Sequence, residues 1–172
     1  MMNRFKPLFI CAAIVGAGMA HAQPTHDQLV ADFSGPYVGI KVGANFSSAS
    51  GAMAKPSHTT FFPGLVVGYG FNLGPVVLGA EAFADLHHGS ATYKDGGIDA
   101  KIGYPIDRFM PYARLGVTTD WPSSAFHYGI GVEYQLTKNV SLFSEWTHDA
   151  ANAYSTHWVN NSITVGANYR FK

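Results

Sequence analysis

From residue 37 to residue 171, apolar side chains recur at every second position, separated by glycine, serine, asparagine or a single charge. A period of two is the signature of β-strands that show different surroundings to their two faces. Turn residues break the pattern into eight predicted strands at 37–46, 61–71, 76–86, 98–106, 111–121, 125–136, 140–148 and 161–171. In the first, Val38, Ile40, Val42, Ala44 and Phe46 oppose Tyr37, Gly39, Lys41, Gly43 and Asn45. In the fifth, Ala113, Leu115 and Val117 oppose Tyr112, Arg114 and Gly116. Past the N-terminus no run approaches the roughly 18 apolar residues that a spanning helix needs. The connections at 72–75, 107–110 and 137–139 are short, and those at 47–60, 87–97 and 149–160 are long. The connection at 121–124 is the short exception among the long ones. The expectation is one all-β domain over residues 36–172, an eight-stranded antiparallel up-and-down transmembrane β-barrel.

Alternation alone does not say which face points inward, because a soluble barrel shares the period. Charge decides it. Charged residues make up 13% of the chain, against about 25% in an average soluble domain. The polar faces are mostly small residues with isolated charges, which suits the crowded inside of a narrow barrel. The apolar faces carry no charge, as expected where an arginine or lysine against lipid costs about 2–4 kcal/mol at the midplane. Aromatic residues gather toward the ends of the apolar face: Phe46, Phe71, Tyr104, Trp121, Phe126, Tyr134, Trp146, Tyr169 and Phe171. That is where a lipid-facing belt at the headgroups belongs.

The N-terminus supplies a compartment. Arg4 and Lys6 precede an apolar run at 8–19, and Ala20-His21-Ala22 follows. This reads as a signal peptide over residues 1–22, with Gln23 the first mature residue. Cys11, the single cysteine, lies inside it, so the mature chain is expected to have neither disulfide nor thiol chemistry. Residues 23–35 read as a polar periplasmic leader.

The segments DAKIGYPI, PYARLGV, GVEYQLTKNVSLFSEWT and ITVGANYRF, in that order, resemble the transmembrane domain of OmpA-type proteins. GPYVGIKVGANF resembles that family's first strand and GAEAFADL its third. The resemblance implies a Gram-negative outer-membrane barrel with both termini in the periplasm and long loops outside. It also implies a lumen filled by a charged network, which falls here on Lys41, Glu81, Lys101, Arg114, Glu133, Glu145 and Arg170. Phe143 stands where the family usually has an arginine, so Glu81 and Glu133 are expected to rely on Lys101 or Arg114. The resemblance covers the barrel only and reaches residue 171, so the peptidoglycan-binding role common in the family is not carried over.

Function is less constrained. Lys and Arg total 11 and Asp and Glu total 11, so no basic footprint suggests nucleic acid. His58, His87, His88, His148 and His157 fall in expected outer positions with no metal-ligand spacing, and read as water-exposed loop residues. For a lipid A-modifying enzyme, the nearest candidates are His148, Asp149, Ser155 and His157. They lack the His-x-Ser arrangement that resembles the deacylases. No catalytic residue, metal or cofactor is assigned. The leading reading is an envelope-integrity or surface-adhesion protein acting through its loops, with a narrow, slow porin as the alternative. Expected partners are lipopolysaccharide and phospholipid, the barrel-assembly machinery, and a host or phage surface ligand.

Overall fold

A computed structural model describes residues 31–87, 95–119 and 124–172. Eight strands follow in chain order: β1 (Gly35–Gly51), β2 (Lys55–Asn72), β3 (Val77–Asp85), β4 (Asp95–Gly103), β5 (Phe109–Thr119), β6 (Ser124–Gln135), β7 (Val140–Ala153) and β8 (Thr156–Arg170). Each pairs antiparallel with the next, and β8 closes on β1. Closure leaves no unpaired edge along the membrane-spanning part, a condition that lipid imposes because it cannot hydrogen-bond a bare backbone. The fold is therefore the up-and-down barrel that the alternation implied.

Burial follows the alternation strictly. Lys41, Asn45, Glu81, Arg114 and Glu145 are buried, while Ile40, Leu65, Ile98, Leu115 and Ile130 are more than half exposed. The grease is outside and the charge inside, the reverse of a water-soluble barrel.

Inward rings and inward glycines are matched across strands. Tyr37 faces Gly68, Phe62 faces Gly43, Phe83 faces Gly97, Tyr112 faces Gly131 and Phe143 faces Gly166 in direct register. A Cβ at Gly131 would stand 2.5 Å from the Tyr112 ring, and one at Gly166 would stand 2.5 Å from the Phe143 ring. Each ring thus lies flat against bare backbone, which lets several rings share a narrow interior at interior packing density. Gly131→Val is expected to push Tyr112 off its hydroxyl partner and lower stability by about 1–3 kcal/mol, the range for overpacking. A urea titration of the folded fraction measures it.

The connections differ from expectation on one side. Residues 47–60 and 149–160 are not open loops. β1 and β2 run on to a tight turn at residues 52–54, and β7 and β8 to a turn at Tyr154-Ser155. Tyr154 and Ser155 adopt positive φ, 51° and 53°, the conformation that two-residue hairpin turns require. The pairing Gly51↔Thr156 carries β1 against β8 to the top. Strands β1, β2, β7 and β8 have 17, 18, 14 and 15 residues, and among the described residues β3 to β6 have 9, 9, 11 and 12, so one side of the barrel is longer than the other. Strands β2, β1, β8 and β7 rise as a wall beyond the shorter β3–β6. Serine, threonine, alanine and asparagine fill this extension, so the hydropathy contrast fades while the strand pairing continues.

Candidate functional site

The inside of the barrel holds a continuous ion-pair network, because strands of period two aim every second residue at one axis. Arg114 on β5 is its hub. Its Nη1 donates to both oxygens of Glu145 at 2.7 Å, its Nε donates to Asp99 Oδ2 at 2.8 Å, and its Nη2 reaches Asp99 and, at 3.1 Å, Glu81. Three carboxylates from β3, β4 and β7 thus share one guanidinium. A planar fork with five donors suits this, where a lysine would not.

Other cations complete the layers. Lys101 Nζ lies 3.1 Å from Glu81 and 4.2 Å from the Tyr112 ring centroid. Lys41 Nζ lies 3.0 Å from Asp85 and 3.9 Å from Glu145. The Tyr37 hydroxyl donates to Glu81 at 2.7 Å, and the Tyr112 hydroxyl to Glu145 at 2.9 Å. Toward the end that carries the termini, Arg170 Nη2 lies 2.6 Å from Glu133, which also accepts from Ser141 and Asn168. Glu133 therefore pairs with Arg170 and not with Lys101 or Arg114. Glu81 does pair with both of those. Phe143 is buried against Gly166 and brings no charge.

The seven lumen residues singled out by resemblance all sit in this network. Sequence reasoning left out Asp85, Asp99, His127 and Asp149, which are also buried there. The signal for two of them was available: Asp85 follows Glu81 and Phe83 at a spacing of two, and Asp99 precedes Lys101 by two. His127 lies 3.9 Å from Asp99 and 4.0 Å from Asp149.

The nine aromatics marked as a belt divide as follows. Phe46, Phe71, Tyr104, Phe126, Trp146, Tyr169 and Phe171 are exposed on the outer face, and Tyr134 is half-buried beside Phe109, 4.8 Å between ring centroids. Trp121 lies outside the described residues. Phe61, Tyr69, Phe109 and Tyr128 face outward as well.

The histidines are not a set. His58 and His157 are exposed, with His157 bonded to Asn152 at 2.8 Å. His148 points outward and bonds Asn161 at 3.0 Å. His87, expected in a water-exposed loop, is buried and stacks on Phe62 at 4.0 Å. It follows β3 closely enough to turn into the barrel mouth. His88 lies outside the described residues. The residues weighed as an enzyme's are not brought together: Asp149 is buried and accepts from Asn160, whereas adjacent His148 faces out and Ser155 sits in the hairpin turn.

A closed eight-stranded barrel with an apolar exterior and a charge-paired interior defines an integral outer-membrane protein, and its exterior is in contact with membrane lipid. The chain belongs to the outer membrane protein beta-barrel domain family, whose model matches residues 9–171. The structure is similar to that of neisserial surface protein A (NspA), with a TM-score of 0.51 at 20% identity over 78% of this chain and 97% of that one. It is similar too to Ail, the attachment invasion locus protein of Yersinia pestis, solved with the heparin analogue sucrose octasulfate. There the TM-score is 0.52 at 15% identity, over 80% of this chain and 99% of that one. No curated protein matches the sequence.

Proposed function

We propose that this barrel is a non-enzymatic membrane anchor whose four-stranded wall attaches the cell to protein surfaces outside it. The observation that carries the reading is the edge of β2 above the rim, which none of the described residues pairs. β3 ends at Asp85, which faces Gly64, and the Leu86 N–H then reaches the Pro63 carbonyl at 2.9 Å. Backbone groups two residues apart point the same way in a strand. The N–H and C=O groups of Phe61 and Thr59 therefore point away from β1, with no strand beside them among the described residues. Such an edge accepts an extended peptide as an added strand.

The chemistry of the wall supports backbone recognition over charge. Among the described residues above the rim on these four strands, Lys55 is the one lysine or arginine. Outward neighbours are Ser48, Ser50, Ser57, Thr59, Asn152 and His157. Ail was solved with a polysulfated ligand, and a single lysine makes that class a weaker fit here. The lumen network fits the same passive role, since its paired charges fill the axis that a solute would follow.

Cells expressing the protein are expected to bind epithelial monolayers several-fold above cells without it. Thr59→Pro removes an edge N–H and blocks strand addition without touching the β1 pairing face. It is expected to bring binding to background while surface expression and heat-modifiability stay unchanged. Unaltered binding by a normally expressed Thr59→Pro barrel contradicts the reading.

A further inference from the structure

We propose that residues 31–34 form a plug that closes the barrel at the end carrying both termini, with Arg170 as its latch. These residues precede β1, yet they do not lead away from the barrel. Phe33 is 1% exposed and packs inside against Val77 of β3 and Met110 and Tyr112 of β5. Three ties hold the backbone beside it. The Asp32 N–H donates to Gln135 Oε1 at 2.8 Å, Lys172 Nζ donates to the Asp32 carbonyl at 2.8 Å, and Arg170 Nη1 donates to the Phe33 carbonyl at 2.6 Å. They come from β6, the last residue of the chain and β8, so the segment is bound from separate parts of the rim.

The wall is shaped to receive it. Gly35 has φ +89°, the left-handed conformation that turns the chain from the plug into β1. At Gly70 a Cβ would stand 2.4 Å from the Phe33 carbonyl oxygen, so any side chain there would collide with the plug. Asp32 Oδ1 accepts from the Ser34 N–H at 2.9 Å and from its hydroxyl, which fixes the short turn. A ring in the lumen, ties from several elements and a cut-away wall are independent features, and one occupant explains them all.

The consequence concerns water. A small cavity is bordered by Phe33, Tyr37, Lys101, Glu133 and Arg170. With the plug seated, Phe33 separates the Lys101–Glu81 and Arg170–Glu133 pairs from solvent at this end. Arg170 joins the two functions, since one guanidinium holds both the plug carbonyl and Glu133. The segment thus sets access to the lumen from the side where the termini emerge, independently of what the wall binds at the other end.

The test uses the full chain with Cys11→Ser, folded in liposomes, carrying one introduced thiol at Met110→Cys behind the plug. The readout is its rate of modification by a water-soluble, positively charged thiosulfonate. Labelling of a closed site tracks local opening, so Phe33→Gly is expected to speed it by about tenfold or more, while Phe33→Leu leaves it slow. Val66→Cys, beyond the plug, reports general loosening of the barrel, and Lys138→Cys at the exposed turn reports reagent delivery. Faster labelling at Met110→Cys with Val66→Cys and Lys138→Cys unchanged supports the plug. Equal rates with Phe33 and with Phe33→Gly, or equal acceleration at Met110→Cys and Val66→Cys, overturns it.

Discussion

Arg114→Gln is expected to destabilise the folded barrel by about 3–5 kcal/mol, the cost of removing one partner from a buried ion pair. The physical reason is the hub. Asp99, Glu81 and Glu145 converge on one guanidinium, and all three are buried. Glutamine offers one amide where five donors served three acceptors. Lys101 and Lys41 still reach Glu81 and Glu145, so Asp99 suffers most. Arg114→Lys keeps the charge without the fork and is expected to fall between the two. By contrast, Lys41→Gln keeps a donor on the Asp85 side while Arg114 still holds Glu145, so its cost is expected in the range of about 1–3 kcal/mol. Folding titrations in urea with phospholipid vesicles measure the series, and a loss at Arg114→Gln no greater than at Lys41→Gln contradicts the hub.

Leu115→Arg is the second large effect and acts on the opposite side of the same strand. Leu115 is 59% exposed and lies one residue from fully buried Arg114. An arginine facing lipid near the midplane costs about 2–4 kcal/mol. Val42→Arg and Val165→Arg belong to the same face and are expected to behave alike. Because Val42 and Val165 are direct partners across β1 and β8, the double change is expected to abolish assembly. Loss of the heat-modifiable band on a gel reports it. Adjacent residues on one strand thus exchange requirements: charge is needed at 114 and forbidden at 115.

That exchange explains why so much of the architecture could be read from the chain. The strand period sorts residues into two faces, and the chemistry of each face says what lies beyond it. Lys41, Glu81, Lys101, Arg114 and Glu145 each fall on the polar face of an alternating strand, and the family resemblance implied that they share one lumen network. What escaped the sequence has three physical causes. The wall escaped because polar residues fall on both of its faces, with Ala49 and Trp158 among the apolar ones turned inward, which weakens the contrast on which a period-two reading depends. Glu133 was assigned the wrong partners because the registers of β6 on β7 and of β7 on β8 together bring Arg170 to it, and the period of two leaves those registers open. Phe33 escaped because a lone aromatic in a polar leader has no periodic context. Only the cut-away at Gly70 and the ties from Gln135, Arg170 and Lys172 give it a place.

Accessibility of spin-labelled single cysteines along β5 tests the central claim most directly, with the protein in lipid vesicles. Relaxation by oxygen, which concentrates among acyl chains, is compared with relaxation by a water-soluble nickel chelate. High oxygen and low nickel accessibility at Ala113, Leu115 and Val117, alternating with low oxygen accessibility at Tyr112 and Gly116, is the predicted result. The opposite alternation, or nickel accessibility at Leu115, would place the greasy face against water or protein and contradict the account.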